Sequence, residues 1–142
     1  MAKHIYPCLW FDNQAKEAAE FYCGIFPNSK VLNASPMVVN FQLNGAHIMA
    51  LNDRRPPNHF NEAFSFVIPC EDQQEIDHYW NSLTADGGEE SMCGWCTDKF
   101  GISWQVIPAI LGQLMSTPEK AQRVVAAFLK MRKMDLQTLI NA

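Results

Sequence analysis

The residues able to do chemistry in this chain are five cysteines, four histidines and a set of aromatic and carboxamide side chains. Cys93-Gly-Trp-Cys96 spells C-x-x-C. Redox or zinc use would want those thiols at a helix N-terminus or in a metal knuckle. Here 91–97 reads as strand ahead of a turn, and no second C-x-x-C or histidine pair completes a zinc site. Cys8 and Cys93 fall on expected strands, with no base, metal or helix N-terminus beside them in sequence to activate a thiol. Buried, inert thiols are the expectation for both.

None of His4, His47, His59 and His78 belongs to an H-x-x-x-H or H-E-x-x-H pattern. His47 sits in a strand after a hairpin, where it could face a pocket as a base; the alternative is an ordinary satisfied or surface histidine. Gln105 and Trp104 are neighbours on the last expected strand, so they point to opposite faces. Gln105 either orients a polar ligand group or makes a structural hydrogen bond. Trp10, Trp95, Tyr6 and Phe64 are strand aromatics that line an apolar cleft or else fill a core or an interface. Asn40, Gln42 and Asn44 read as one polar face of a strand. Asn52 and Asp98 read as turn formers.

The elements that must position these residues follow from periodicity. Residues 4–11 are apolar and aromatic, a strand signature. Asp12-Asn13 breaks that run and reads as a helix cap. Over 14–26, Ala15, Ala18, Ala19, Tyr22 and Phe26 recur at helical spacing, and Pro27-Asn28-Ser29 ends the helix. Strands follow near 30–34, after Pro36 and over 46–52, with Asn44-Gly45 the strongest short hairpin signal. Residues 53–61 are polar, contain two prolines and read as a connection. Then the order repeats: a strand over 63–69, a capping box at Asp72 and Glu75, and a stripe of Ile76, Tyr79, Trp80 and Leu83. Asp86-Gly87-Gly88 stops that helix, and strands are expected near 89–96 and 102–108 around a turn at 98–101. An offset of 58 lays Glu17 on Glu75, Phe21 on Tyr79 and Tyr22 on Trp80. A tandem duplication of a β-α-β-β-β unit is the economical reading. Residues 109–142 read as helical: Thr117-Pro118-Glu119 starts a helix, Ala121, Val124, Val125 and Phe128 form its apolar face, and a last short helix covers 135–140.

The chain has 142 residues, 48% of them apolar and 18% charged, with a net charge of -4. That is a globular composition, long enough to bury a core without staples. A mildly acidic chain without a Lys/Arg block argues against a nucleic-acid partner. No apolar run approaches a membrane span, and the start shows no secretory signal. With an odd cysteine count, a reducing, cytoplasmic setting is expected rather than a disulfide framework.

Several stretches resemble one family. They are Pro7-Cys-Leu-Trp-Phe-Asp, Ala15-Lys-Glu-Ala-Ala-Glu-Phe-Tyr, Ile25-Phe-Pro-Asn-Ser, Asn44-Gly, Ala50-Leu-Asn, Phe60-Asn-Glu-Ala-Phe-Ser-Phe, Cys93-Gly-Trp, Asp98-Lys-Phe-Gly-Ile-Ser-Trp-Gln-Val-Ile-Pro and Met131-Arg-Lys-Met-Asp. The chain is similar to the PhnB-like proteins. These carry the label 3-demethylubiquinone-9 3-methyltransferase and belong to the vicinal oxygen chelate, or glyoxalase/bleomycin resistance, superfamily. The resemblance implies an α+β fold in which two βαβββ modules, about 1–55 and 60–108, form a cupped mixed sheet, with a C-terminal helical segment over 109–142, all in one domain. It also implies a homodimer, with Gln105 turned into the cup and Trp104 packed outside.

Metal-using relatives place one ligand on the first strand and one near the last strand of each module. Those positions fall near Tyr6 or Pro7, Met49 or Ala50, Phe64 or Ser65, and on Gln105. Only Gln105 is of ligand type, and a neutral amide binds transition metals weakly. No glycine-rich strand-to-helix turn of nucleotide-binding type is present. The expectation is therefore a protein without metal or other cofactor that binds a small molecule in the cup. Its candidate ligand-binding residues are Gln105, His47, Tyr6, Trp10, Gln42 and Ser65; catalytic residues are not assigned. The rivals are an enzyme on the same scaffold, a drug-sequestering resistance protein and a structural dimer.

Overall fold

The structure, a computed structural model, describes residues 3–53 and 59–142. These two stretches form two compact modules. The first runs β1 (Cys8–Phe11), α1 (Ala15–Ile25), β2 (Lys30–Ala34), β3 (Val38–Leu43) and β4 (Ala46–Asn52). Its sheet has the order β1-β4-β3-β2, with β1 parallel to β4 and the other pairs antiparallel. The second runs β5 (Ser65–Cys70), α2 (Gln73–Thr84), β6 (Glu89–Glu90), β7 (Trp95–Thr97) and β8 (Ser103–Pro108). Its order is β5-β8-β7-β6, again with the first strand parallel to the last. The expected pair of βαβββ modules is therefore what forms. The offset of 58 carries Ala15 onto Gln73, the first residues of the two helices.

Strand alternation and a single helix explain each core. In β3, Val39, Phe41 and Leu43 are buried while Val38, Asn40 and Gln42 are half-exposed. The buried row meets Ala15, Ala18, Ala19 and Tyr22 of α1, and the Tyr22 and Phe41 rings stack 6.2 Å apart. Burying a side chain of that size contributes roughly 1.5–3 kcal/mol. In the second module Ile76, Trp80 and Leu83 of α2 are buried, as are Ile68, Cys70, Cys96, Trp104 and Val106 of the strands that α2 contacts. Leu43 and Ala46 pair across Asn44 (φ 49°) and Gly45 (φ 87°), the two left-handed residues of a tight hairpin. Asn44 is thus a turn residue and does not extend the polar face of Asn40 and Gln42.

Four boundaries differ from expectation, each for a local reason. The first strand begins at Cys8 rather than near residue 4, although Met49 N still donates to Pro7 O (3.0 Å). Asp12 and Asn13 do not cap α1. Asn13 is left-handed (φ 61°), and the helix N–H of Ala15 donates instead to Asn52 Oδ1 (2.9 Å), far along the chain. Asn52 Nδ2 donates in turn to Pro36 O (3.0 Å), so this residue ties three segments rather than one turn. β5 begins at Ser65 because Asn61 Oδ1 accepts from Ala63 N (2.8 Å) and holds the chain in a turn. The strand expected over 89–96 is broken: Cys93 (φ 59°) and Gly94 (φ 81°) are both left-handed, and 91–94 turn between β6 and β7. A Cβ on Gly94 would lie 2.7 Å from Val106 O, so only glycine fits there. Of the expected connection over 53–61, residues 54–58 lie outside the described residues.

The helix caps follow the sequence elsewhere. Asp72 Oδ1 accepts from Glu75 N (2.9 Å), although Glu75 Oε2 returns to Glu71 N (3.1 Å) rather than closing the box on Asp72. Thr117 caps α4 (Pro118–Phe128), after a short α3 (Leu111–Leu114), and Asp135 caps α5 (Leu136–Ile140). Of the expected α4 stripe only Val124 is fully buried. This tail docks on its own module. Cys93 N donates to Met131 O (2.8 Å) and Gly94 N to Arg132 O (2.9 Å). The Gln73 carboxamide donates to Met134 O (3.0 Å) and accepts from Leu136 N (2.8 Å). Hydrogen bonds from Gln73 and Lys133 hold the Asp77 carboxyl below its usual range.

Asp98 is the buried polar hub of the second module. It is 2% exposed. Its Oδ1 accepts from Phe100 N (2.8 Å) and Ile102 N (3.1 Å), and its Oδ2 accepts from Trp104 Nε1 (2.8 Å). One carboxylate therefore shapes the 98–101 turn and locks the largest β8 side chain. Asp98→Ala is expected to destabilise the protein by about 3 kcal/mol, because three donors lose their acceptor and two of these bonds are buried. Asp98→Asn is expected to destabilise it less. The check is the denaturation midpoint at unchanged slope; a loss below about 1 kcal/mol would remove Asp98 from this role.

Candidate functional site

A sheet covered by one helix leaves its other face free. In the first module the free row is set by register. Cys8 pairs with Met49 and Trp10 with Leu51, while Asn40 pairs with Met49 and Gln42 with His47. Tyr6, just before β1, stacks its ring on His47, with centroids 3.9 Å apart and planes at 25°. Four of the six expected ligand-binding residues (Tyr6, Trp10, Gln42 and His47) thus fall on one face. His47 Nε2 lies 2.9 Å from Asn40 Oδ1, and Asn40 Nδ2 donates to Asn33 Oδ1 (3.0 Å). Apolar Trp10, Met49 and Leu51 adjoin this polar chain along β1 and β4. The face can therefore meet a planar, partly apolar surface and a hydrogen-bonding group side by side.

The second module repeats the arrangement with other residues. Ser65 and Val67 of β5, Gln105 and Ile107 of β8, and Trp95 and Thr97 of β7 form its free row, while Ser103 shares that side of β8 but is buried. Gln105 Nε2 donates to Ser65 Oγ (2.9 Å). Gln105 and Trp104 do point to opposite faces, with Trp104 buried on the helix side. Phe64 is 48% exposed and meets Phe66 edge-on. Trp95 pairs with Gln105 across the ladder. Asn33 was not singled out by the sequence, because a register shift between Val31 and Asn33 brings it to the free face.

The metal positions implied by the resemblance can be judged on their donors. In the first module they hold the Tyr6 phenol, stacked on His47, and the Met49 thioether. In the second they hold the Ser65 hydroxyl and the Gln105 amide, bonded to each other. Divalent ions in such sites want imidazole, carboxylate or thiolate donors, and this set does not fit one. Among the described residues no three His, Cys, Asp or Glu side chains come together.

The cysteines are unpaired thiols. Cys93 sits in the 91–94 turn and not on a strand, while Cys96 is buried beneath α2. Burial pushes the Cys70 and Cys96 thiols up to about 12, with neighbouring carboxylates adding to the rise. Partial desolvation also raises Cys8 and Cys23, although Cys8 is exposed and not the buried thiol expected from the sequence. The C-x-x-C spacing is thus split between a turn and a core.

Comparison with known proteins agrees with this geometry. A family described as 3-demethylubiquinone-9 3-methyltransferase matches residues 3–107. A PhnB protein from Bacillus cereus is 28% identical, with a TM-score of 0.68 over 75% of this chain and 100% of its own. The Listeria monocytogenes fosfomycin resistance protein FosX, solved with Mn(II) and sulfate, is 13% identical at a TM-score of 0.60, over 82% of this chain and 97% of its own. A glyoxalase/bleomycin resistance protein from Albidiferax ferrireducens is 13% identical at 0.52, over 74% and 97%. Among curated proteins none matches.

The thiol arrangement predicts an order of reactivity. With a small alkylating reagent at mildly alkaline pH, exposed Cys8 is expected to react first, and Cys70 and Cys96 only after unfolding. Mass spectrometry of the modified peptides reads the order. A Cys93–Cys96 disulfide formed under mild oxidation would contradict it.

Proposed function

The chain belongs to the 3-demethylubiquinone-9 3-methyltransferase family, the PhnB-like proteins of glyoxalase/bleomycin resistance fold, and on that footing we propose that it binds a small, partly apolar molecule without a metal. The observation that carries this reading is the free face of the first module. Tyr6, Trp10, Met49 and Leu51 offer apolar and aromatic surface there, and Asn40, Gln42 and His47 offer uncharged hydrogen-bonding groups beside it. Ligand sites are commonly apolar with a few fixed polar groups of this sort. The Gln105–Ser65 pair gives the second module a similar fixed polar group.

Metal independence rests on the donor set. A phenol, a thioether, a hydroxyl and a neutral amide stand where relatives of this superfamily place their ligands. Methyl transfer is not part of the reading, because neither strand-to-helix turn (Asp12, Asn13 and Gln14; Glu71 and Asp72) holds a glycine that would let a nucleotide-type cofactor approach the backbone. The reading extends to a homodimer, supported by Tyr6, Phe64, Val67 and Met92, apolar side chains 41–64% exposed together with Met37.

Native mass spectrometry tests assembly and metal together. A dimer at the bare polypeptide mass is expected, unchanged after incubation with Mn(II) or Zn(II) and buffer exchange. One divalent ion bound per chain would overturn the metal-free reading. In a screen of aromatic fragments, Trp10→Ala is expected to weaken binding by about tenfold, equivalent to about 1.4 kcal/mol; unchanged affinities would remove the first module's free face from the reading.

A further inference from the structure

The polar chain on the first module's free face has a direction, and the direction has a chemical consequence. Between Val31 and Asn33 the β2–β3 register shifts: Val31 pairs with Phe41, and Asn33, not Leu32, pairs with Asn40. In an unbulged ladder Leu32 would stand opposite Asn40 and Asn33 would turn toward the helix. The bulge instead leaves Leu32 unpaired, with 43% of its surface exposed, and delivers a carboxamide to the free face. Bulges re-aim side chains in this way and gather near sites.

Asn33 Oδ1 accepts from Asn40 Nδ2 (3.0 Å). With its nitrogen so engaged, Asn40 presents its oxygen to His47, whose Nε2 lies 2.9 Å away. A carbonyl oxygen can only accept, so the proton between them sits on Nε2. A neutral imidazole with Nε2 protonated has Nδ1 as a lone-pair acceptor. Among the described residues the His47 ring makes no other hydrogen bond. The ring is held from one side by the Tyr6 stack. Cys8 and Lys30 share this face by register, and Tyr6 reaches it from the segment before β1.

We propose that Asn33 and Asn40 act as positioning residues that set His47 as the Nε2–H tautomer, so that Nδ1 selects ligands bringing an O–H or N–H donor on a small planar ring. This deepens the binding reading above and rests on it. A phenol, an enol or a ring N–H fits this description, and an aprotic ring of the same shape does not. The bulge is what links the sequence to the chemistry: it turns an asparagine, and not a leucine, onto the histidine's partner.

The experiment is NMR of the full chain with ¹⁵N-labelled histidine, using long-range ¹H–¹⁵N correlations to read which ring nitrogen carries the proton in the neutral form. Nε2–H is expected in the parent. A mixture is expected in Asn40→Ala, and a smaller shift toward the mixture in Asn33→Ala, with folding of each variant checked in the amide spectrum. Two matched probes, 4-methylphenol and 4-methylanisole, are then titrated. The phenol is expected to move the Nδ1 resonance of His47 and to bind at least fivefold more tightly than the ether. An Nδ1–H tautomer overturns the proposal even if both probes bind, and in that case the binding reading survives. Equal affinities for the two probes overturn it as well. An Nε2–H ring on a face that takes neither probe removes the binding reading, and this proposal with it.

Discussion

Each four-stranded sheet has one helix, and one helix can cover only one face. Everything that distinguishes this protein's surface follows from that constraint. Because successive strand residues alternate, the sequence of every strand splits into a row that packs and a row that remains available. Val39, Phe41 and Leu43 belong to the first kind, and Asn40 and Gln42 to the second. A large-to-small change in the packed row removes contacts and leaves a cavity, at roughly 2–5 kcal/mol. The uncovered row bears less of that penalty, so packing constrains its residue types less. Both packed rows are apolar, and the two uncovered rows carry different side chains.

The second constraint is the parallel pairing of first and last strand. A parallel pair needs a crossover, and here the crossover carries the helix and a hairpin. It brings Tyr6 against His47 in one module and Ser65 against Gln105 in the other, residues about forty positions apart in the chain. Such a site is rigid because its parts belong to the ladder itself. It is also adaptable, because the ladder tolerates almost any side chain on the uncovered row. One scaffold can therefore carry metal ligands in one relative and carboxamides in another without any change of fold.

Much of this was legible in the sequence, and what was not shares a physical cause. Asn44-Gly45 fixed its hairpin because both residues accept positive φ. Asp72 and Thr117 fixed their helix starts through bonds that span three residues. Trp104 and Gln105 declared their opposite faces by parity alone. The helix over 14–26 was legible, but not what bonds its first N–H, because that acceptor is Asn52, 37 positions along the chain. Local residues such as Asp12 and Asn13 cannot reveal a partner that only the folded sheet delivers. The break at Cys93 and Gly94 was hidden for the same reason: what demands glycine there is the close approach of Val106 and the docked tail. The bulge at Leu32 left no compositional mark either, since it is a property of a pair of strands. The hairpin register sets Gln42 opposite His47, and Asn33 reached that face only because the β2–β3 register slipped.

The tail sharpens the contrast between the modules. The family match ends at residue 107, so α3, α4 and α5 lie beyond it. They fasten to the 91–94 turn and to the start of α2, through backbone bonds to Cys93 and Gly94 and through the Gln73 carboxamide, which donates and accepts as a strand neighbour would. They bury Met134 and Leu139 in the process. β6 is only two residues long, and an edge so short is weakly held by its own ladder. A segment that bonds the turn beside it supplies the order that the edge lacks. The tail therefore reads as structural reinforcement of the second module, placed where it leaves Gln105, Ser65 and Trp95 uncovered by its own hydrogen bonds.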